Sequence, residues 1–169
     1  MTDLVTERLV LYPISVAEAE AEQMVAGRPA AGTAWEPGFP TEDDVSVAKR
    51  FLARCSATGD PRPFGPYAIR RRSDHRVIGG VDFHSPPDEH GHVTIGYGVV
   101  PSAQGKGYAS EALRALLSFA RAGGVVSVKG DADHDNVASQ RVMTTAGMLP
   151  VGEDERVAYF AVTWDSAAM

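Results

Sequence analysis

The stretch Val99-Val100-Pro101-Ser102-Ala103-Gln104-Gly105-Lys106-Gly107-Tyr108-Ala109 carries the most specific chemistry in the chain. β-Branched residues give way to a glycine-rich turn, and the turn opens directly onto a helical pattern. The first N–H groups of a helix have no intrahelical acceptor and lie at the positive end of its dipole, so such a junction suits an anion. Gly105 and Gly107 permit positive φ and close backbone approach, and Lys106 adds a cation. A pyrophosphate is the predicted ligand. A nucleotide P-loop is excluded because Lys106 is followed by Gly107 and not by the Ser or Thr that would hold Mg²⁺. A dinucleotide fingerprint is excluded as well, for want of a third glycine and of an acidic residue about 20 positions on.

Other reactive side chains are sparse. Cys55 is the single cysteine, which permits no intrachain disulfide, and within a helical segment it reads as a small core hydrophobe. His90 and His92 alternate near a strand end without a third ligand at metal spacing, so no metal is expected. Trp35 and Phe39 are large apolar residues in a Gly- and Pro-rich loop, 27–40, and are candidates to line a pocket.

The elements that must position these groups follow from periodicity. Arg8–Tyr12 reads as a strand ended by Pro13, and Ser15 caps a helix running to about Ala26. Thr41, followed by Glu42, Asp43 and Asp44, starts a second helix that reaches Ala57 and stops near Gly59. Three strands, Pro66–Arg72, Val77–His84 and Val93–Val100, form a predicted antiparallel meander. The strongest helix is Tyr108–Ala122, with apolar residues at spacings of three and four and a stop at Gly123-Gly124. A strand from Val125, a helix Asn136–Ala146 and a last strand Arg156–Trp164 complete the order β-α-α-β-β-β-α-β-α-β-β. The run Arg70-Arg71-Arg72 is read as a solvated strand end.

The 169 residues suit one domain with a full core, and the balance of 44% hydrophobic to 22% charged residues is that of a globular protein. A net charge of -6 without a long Lys/Arg block argues against nucleic acid. No apolar run approaches the roughly 18 residues of a membrane span, so neither anchor nor signal peptide is expected. A reducing cytoplasm fits the lone cysteine.

With these residues in view, the chain resembles the GNAT superfamily of N-acetyltransferases, and within it the ribosomal-protein alanine acetyltransferase-like (RimJ/RimL-type) branch. Gln104-Gly105-Lys106-Gly107-Tyr108-Ala109 fits the family's acetyl-CoA signature, and Ser110-Glu111-Ala112 continues it as that branch does. Thr6-Glu7-Arg8-Leu9 is similar to the branch's opening, Ile95-Gly96-Tyr97 to its fourth strand, and Asn136-Val137-Ala138-Ser139-Gln140-Arg141-Val142 to its later Asn-x-x-Ser helix. Thr145-Ala146-Gly147-Met148 stands where the family commonly has Lys and then Gly-Phe. The resemblance implies an α/β (α+β) GNAT fold: a mixed, mostly antiparallel sheet of about seven strands, flanked by four helices and splayed between the fourth and fifth strands.

It also implies a site. The pantetheine arm of acetyl-CoA would lie in the splay beside Val99, and its pyrophosphate on Gln104, Gly105, Lys106, Gly107, Tyr108, Ala109 and Ser110. Asn136 would contact the cofactor, and Ser139 would lie near the thioester sulfur and protonate the leaving thiolate, although Ser or Asn at a helix start also caps the backbone. An unprotonated amine would attack the thioester directly, which requires positioning, a polarised carbonyl and removal of one proton. The branch often carries a Glu just before Gly-Tyr of the fourth strand, where this chain has Val93-Thr94-Ile95. Either a water chain or another residue then takes the proton. Asp82 and His84 share one strand face by the period-two rule and are candidates, a surface pair being the alternative.

The expected acceptor is a primary amine of a protein N-terminus, an amino acid or a small molecule, walled by the first two helices with Trp35 and Phe39. Glu36, Asp43 and Asp44 either attract that amine or are solvated helix-start charges. Transfer of another acyl group such as succinyl, or a non-catalytic acyl-CoA-binding module, are the alternatives. A homodimer is a further expectation of the branch.

Overall fold

Leu9 and Leu11 are fully buried while Val10 and Tyr12 are half-buried, the period-two pattern of a strand with one face on a core. That strand belongs to a mixed sheet in a computed structural model that describes residues 3–23 and 33–164. The strands are β1 (Leu4–Val5), β2 (Leu9–Pro13), β3 (Ala34–Trp35), β4 (Pro66–Arg71), β5 (Arg76–Phe83), β6 (His92–Val99), β7 (Ser127–Asp133), β8 (Leu149–Glu153) and β9 (Val157–Thr163). The helices are α1 (Val16–Gln23), α2 (Glu42–Thr58), α3 (Tyr108–Ala122) and α4 (Val137–Thr145). A single 3-10 turn, Pro101–Ala103, precedes α3.

The sheet runs β1-β2-β4-β5-β6-β7-β9-β8, with β3 beside the start of β5. All neighbours are antiparallel except β6–β7 and β3–β5. Six strands match segments read from the sequence, and β8 fills the seventh place in the predicted order. The two additions, β1 and β3, are two residues long, too short to show any periodicity. Counting them renumbers the predicted fourth and fifth strands as β6 and β7, the same two segments.

Helix starts are set by local chemistry. Ser15 accepts a hydrogen bond from the Glu18 N–H at 3.2 Å, and the Glu18 carboxylate accepts from the Ser15 N–H at 3.0 Å. Thr41 and Asp44 make the same reciprocal capping box at α2. The helix predicted from Ser15 is described to Gln23, and its expected end at Ala26 lies outside the described residues. α3 buries Ala112, Leu113, Leu116, Leu117 and Ala120 along one stripe against the sheet. Its Phe119 joins Phe64, Tyr67 and Phe83 in a cluster of ring pairs whose centroids lie 5.2–6.3 Å apart. Each fully buried leucine contributes about 2–3 kcal/mol to holding α3 in place.

Candidate active site

The parallel junction is incomplete. β6 and β7 pair only through His92, Val93 and Thr94 against Ser127, Val128 and Lys129. Beyond that, β6 stays with β5 through Val99 and β7 stays with β9 through Asp133, so the two halves of the sheet part. On β6 the bonds to β5 fall on alternate residues: Thr94 accepts from His84 N–H, and Val100 N–H donates to Ile78. By that alternation the backbone groups of Tyr97 and Val99 face the opening. The Gln104 side chain reaches back to donate to the Val99 carbonyl at 3.2 Å.

At the foot of the opening, Gly105 and Gly107 adopt φ of 77° and 83°, the left-handed region that glycine enters at little cost. The Gly107 cap of α3 offers no side-chain acceptor to the first turn, leaving the N–H groups of Tyr108, Ala109 and Ser110 to another partner. Such a cap suits an anion. Glu111, in the same turn, would oppose one, but it is engaged. Thr6 Oγ1 donates to it at 2.5 Å, Arg8 N–H at 2.9 Å and Arg8 Nε at 2.8 Å. Burial raises the Glu111 pKa, and the hydrogen bonds from Thr6 and Arg8 together outweigh burial and hold it below the ordinary value. Arg8 also donates to the Lys106 carbonyl at 2.8 Å and lies over the Tyr108 ring at 4.5 Å. The N-terminal strand pair thus clamps the turn, while Lys106 Nζ donates to Ser102 within it.

Tyr97 and Ser139 join β6 to α4. The tyrosine hydroxyl donates to the Ser139 carbonyl at 2.8 Å and lies 2.7 Å from Ser139 Oγ. The one phenol proton can be directed at either oxygen, and when it is directed at Oγ, the Ser139 hydroxyl keeps its own proton free for another acceptor. Burial is the main cause that raises the Tyr97 pKa, and the phenol is protonated at neutral pH.

Asp82 and His84 project from β5 into a cavity of about 460 Å³ that reaches the opening at Gly96, Tyr97 and Gly98. Gly96 pairs with Asp82 across the strands, and a Cβ there would come within 3.0 Å of His84 Nε2 and 3.1 Å of Asp82 Oδ1. A missing side chain on β6 therefore makes room for both. Asp82 is 7% exposed, and burial pushes its carboxyl up to about 7, with Asp44 adding to the rise and Arg50 opposing it. His84 Nε2 stands 3.7 Å from Asp82 Oδ2, and burial is the main cause that lowers the imidazole pKa. Near neutral pH the pair is a poised carboxyl beside a neutral imidazole, suited to accepting a proton.

The sequence model of the acetyltransferase (GNAT) domain matches residues 8–149, which include the turn, the opening and both sides of the cavity. The chain belongs to the acetyltransferase (GNAT) family. It is 27% identical to the uncharacterized N-acetyltransferase YjdG of Bacillus subtilis over 112 residues, 66% of this chain and 67% of that protein. The ribosomal-protein-S5-alanine acetyltransferase of Vibrio fischeri superposes with a TM-score of 0.70 at 16% identity, covering 98% of each chain. RimJ of Mycobacterium smegmatis, solved in complex with CoA-disulfide, superposes with a TM-score of 0.64 at 19% identity over 92% of this chain and 81% of that one. At these identities the likeness is one of fold.

Within this GNAT fold the sequence-predicted residues fall into three groups. Val99, Gln104, Gly105, Lys106, Gly107, Tyr108, Ala109 and Ser110 meet at the opening and the α3 start. Asn136 caps α4, accepting from Ser139 N–H at 3.0 Å, which commits its carboxamide oxygen to the helix. Phe39 lines the cavity, and Trp35 packs edge-on against it with centroids 5.5 Å apart.

Two readings are corrected. The arginine run, read as a solvated strand end, is one only in part: Arg72 is exposed and donates to the Thr6 and Glu7 carbonyls, whereas Arg71 pairs with Glu36 and Asp74 and Arg70 lies over Tyr12. Glu36, left open as an attractor of the amine or a solvated charge, is neither, since Arg71 and Arg76 take it. The reason is that β3 brings Glu36 alongside β5, a pairing no local pattern announces. Cys55 is half-buried on α2 and packs against the core. His90 and His92 are exposed, their backbones tied to Asp88, and among the described residues no group of three or more His, Cys, Asp or Glu could hold a metal. No described helix is long and apolar enough to cross a membrane.

Arg50 and Asp131 also line the cavity and were missed. For Asp131 a signal existed: Lys129, Asp131 and Asp133 alternate with buried Val128 and Ala132 along β7. Arg8 and Glu111 sat inside quoted motifs, but 103 positions separate them, and nothing local foretold their pairing.

Proposed function

We propose that this protein is an acetyl-CoA-dependent N-acetyltransferase that acetylates a primary amine by direct attack on the thioester. The observation that carries the reading is the junction of two features. An uncapped α3 start lies at one end of the β6–β7 opening, and the Asp82–His84 cavity meets it from the side of α2.

Acetyl-CoA supplies an activated acyl carbon on a thiol leaving group. The Gly105–Ser110 turn holds its pyrophosphate, and the backbone groups of Tyr97 and Val99 hold the pantetheine arm as an added strand would be held. Asp82, with His84 beside it, accepts the proton that the amine loses as its nitrogen–carbon bond forms. Ser139, backed by Tyr97, gives its proton to the departing sulfur as the carbon–sulfur bond breaks and takes one back from solvent, into which Asp82 releases the amine proton. Thr94 stands where the branch that the sequence resembles often carries a Glu. Its cross-strand neighbour is His84, whose N–H donates to the Thr94 carbonyl, so the Asp82–His84 pair lies one strand over from Thr94.

The test mixes purified protein with acetyl-CoA and a panel of amino acids, N-terminal peptides and small amines, and follows free thiol. Release with an acceptor, lost in Gly107→Glu, supports the transferase. Binding of acetyl-CoA without release across the panel favours a non-catalytic module, and absence of binding overturns the reading.

A further inference from the structure

The cavity at Asp82 does not end there. A second cavity of about 500 Å³ continues outward between α2 and the chain from Pro61 to Pro66, and the two share Val47, Arg50, Pro66, Asp82 and His84 as walls. Their charges differ in sign. The inner cavity carries the carboxylates Asp43, Asp44, Asp82 and Asp131. The outer one carries Arg50 and Arg54, with Asp82 as its sole carboxylate among the described residues, at the shared boundary.

Arg50 and Arg54 are four residues apart on α2 and so lie on one face, a single turn from each other. Arg54 donates to the His84 carbonyl at 3.3 Å. Arg50 is exposed and makes no hydrogen bond or ion pair with a described residue, although its charge acts on both Asp82 and His84. An unpaired guanidinium at the boundary between an acidic chamber and a basic one suits a planar anion that enters with a ligand. Volumes of this size fit a small molecule or the first residues of a peptide.

We propose that the acceptor is a small amine carrying a carboxylate or phosphate, its amino group directed to Asp82 in the inner cavity and its anion to Arg50 and Arg54 in the outer one. This rests on the transferase reading above. A dication such as a polyamine meets the carboxylates with one end and repulsion from two arginines with the other.

The experiment measures kcat/KM from thiol release for matched acceptors: β-alanine against its amide, γ-aminobutyrate against its amide and against putrescine, and aminopropyl phosphate against aminopropanol. The anionic member of at least one set is expected to exceed its neutral counterpart by about tenfold or more, and the set in which it does so distinguishes carboxylate from phosphate. Arg50→Gln collapses that ratio, and Arg50→Glu shifts the preference toward putrescine. Arg54→Gln lowers the same ratio and keeps the question answerable if a substitution at Arg50 fails to fold.

Neutral amines or putrescine reacting as well as the anionic acceptors in the unaltered protein would overturn the inference while leaving the transferase intact. Equal loss on all acceptors in Arg50→Gln, with a displaced pH profile, would overturn it too, since Arg50 would then only tune Asp82. Acetyl-CoA binding without thiol release from any amine would instead remove the transferase reading, and this inference with it.

Discussion

Asp82 is held protonated to higher pH than an ordinary carboxyl because burial raises its pKa from 3.8 to about 7. As a base it must be ionised, so kcat/KM is expected to rise as pH rises through about 7. Asp82→Asn should lower the rate by about a hundredfold or more and remove that limb from the pH–rate profile. The same shift has a stability sign. Between pH 4 and 7 the native carboxyl is protonated and the unfolded one ionised, so the native state binds the extra proton and its stability falls as pH rises. Asp82→Asn is therefore expected to stabilise the fold at pH 8 relative to pH 5, by roughly 2 kcal/mol, less than full linkage because water can enter beside a cavity-facing carboxylate. Denaturant titration at the two pH values measures it. The Ser139–Tyr97 pair offers a second test, since 2.7 Å between hydroxyl oxygens makes them one unit. Ser139→Ala and Tyr97→Phe should each lower kcat by about tenfold or more, with the double variant losing little beyond either; additive losses would mean separate roles.

At the scale of elements, the start of α3 is functional because two distant segments hold it. Its own sequence supplies the glycines and the uncapped N–H groups, while β1, β2 and the turn between them supply Thr6 and Arg8 to occupy Glu111. Arg8→Ala strips the guanidinium from that carboxylate while the Thr6 and backbone hydrogen bonds remain, and acetyl-CoA affinity should fall by about tenfold by calorimetry. The stability cost should be only about 1 kcal/mol, because the Arg8 side chain is 41% exposed and solvent screens its ion pair. A large loss of stability with unchanged affinity would make Arg8 a fold residue and not a support of the turn. α2 works in the same divided manner. The Thr41–Asp44 box fixes where it begins, and its packing over the sheet carries Arg50 and Arg54 to the cavity walls.

For the whole molecule, β6 and β7 part after three paired residues on each strand, and a ligand that bridges the opening should tie the two halves together. Acetyl-CoA at a hundred times its Kd should add about 2.7 kcal/mol by linkage. For a chain of this size that is a rise in Tm of roughly 5–10 °C, read by thermal unfolding with and without ligand. Gly107→Glu should abolish the rise, and a rise that persists in that variant would place the ligand elsewhere.

What the sequence determined by itself is whatever contiguous residues decide. The turn Gln104–Ala109, the amphipathic stripe of α3, the caps at Ser15 and Thr41 and the strands of the meander all depend on neighbours within a few positions, so their residue types carried the signal. The alternation that puts Asp82 and His84 on one face belongs to the same class. Which distant groups meet depends instead on the packed chain. Tyr97 finds Ser139 across 42 positions, Arg8 finds Glu111 across 103, and Arg71 takes Glu36 out of the acceptor wall. The extent of the β6–β7 pairing and the meeting of an acidic cavity with a basic one were likewise beyond local reading. Such contacts are fixed by the order of strands and by which helix covers which face, and those are properties of the packed chain as a whole.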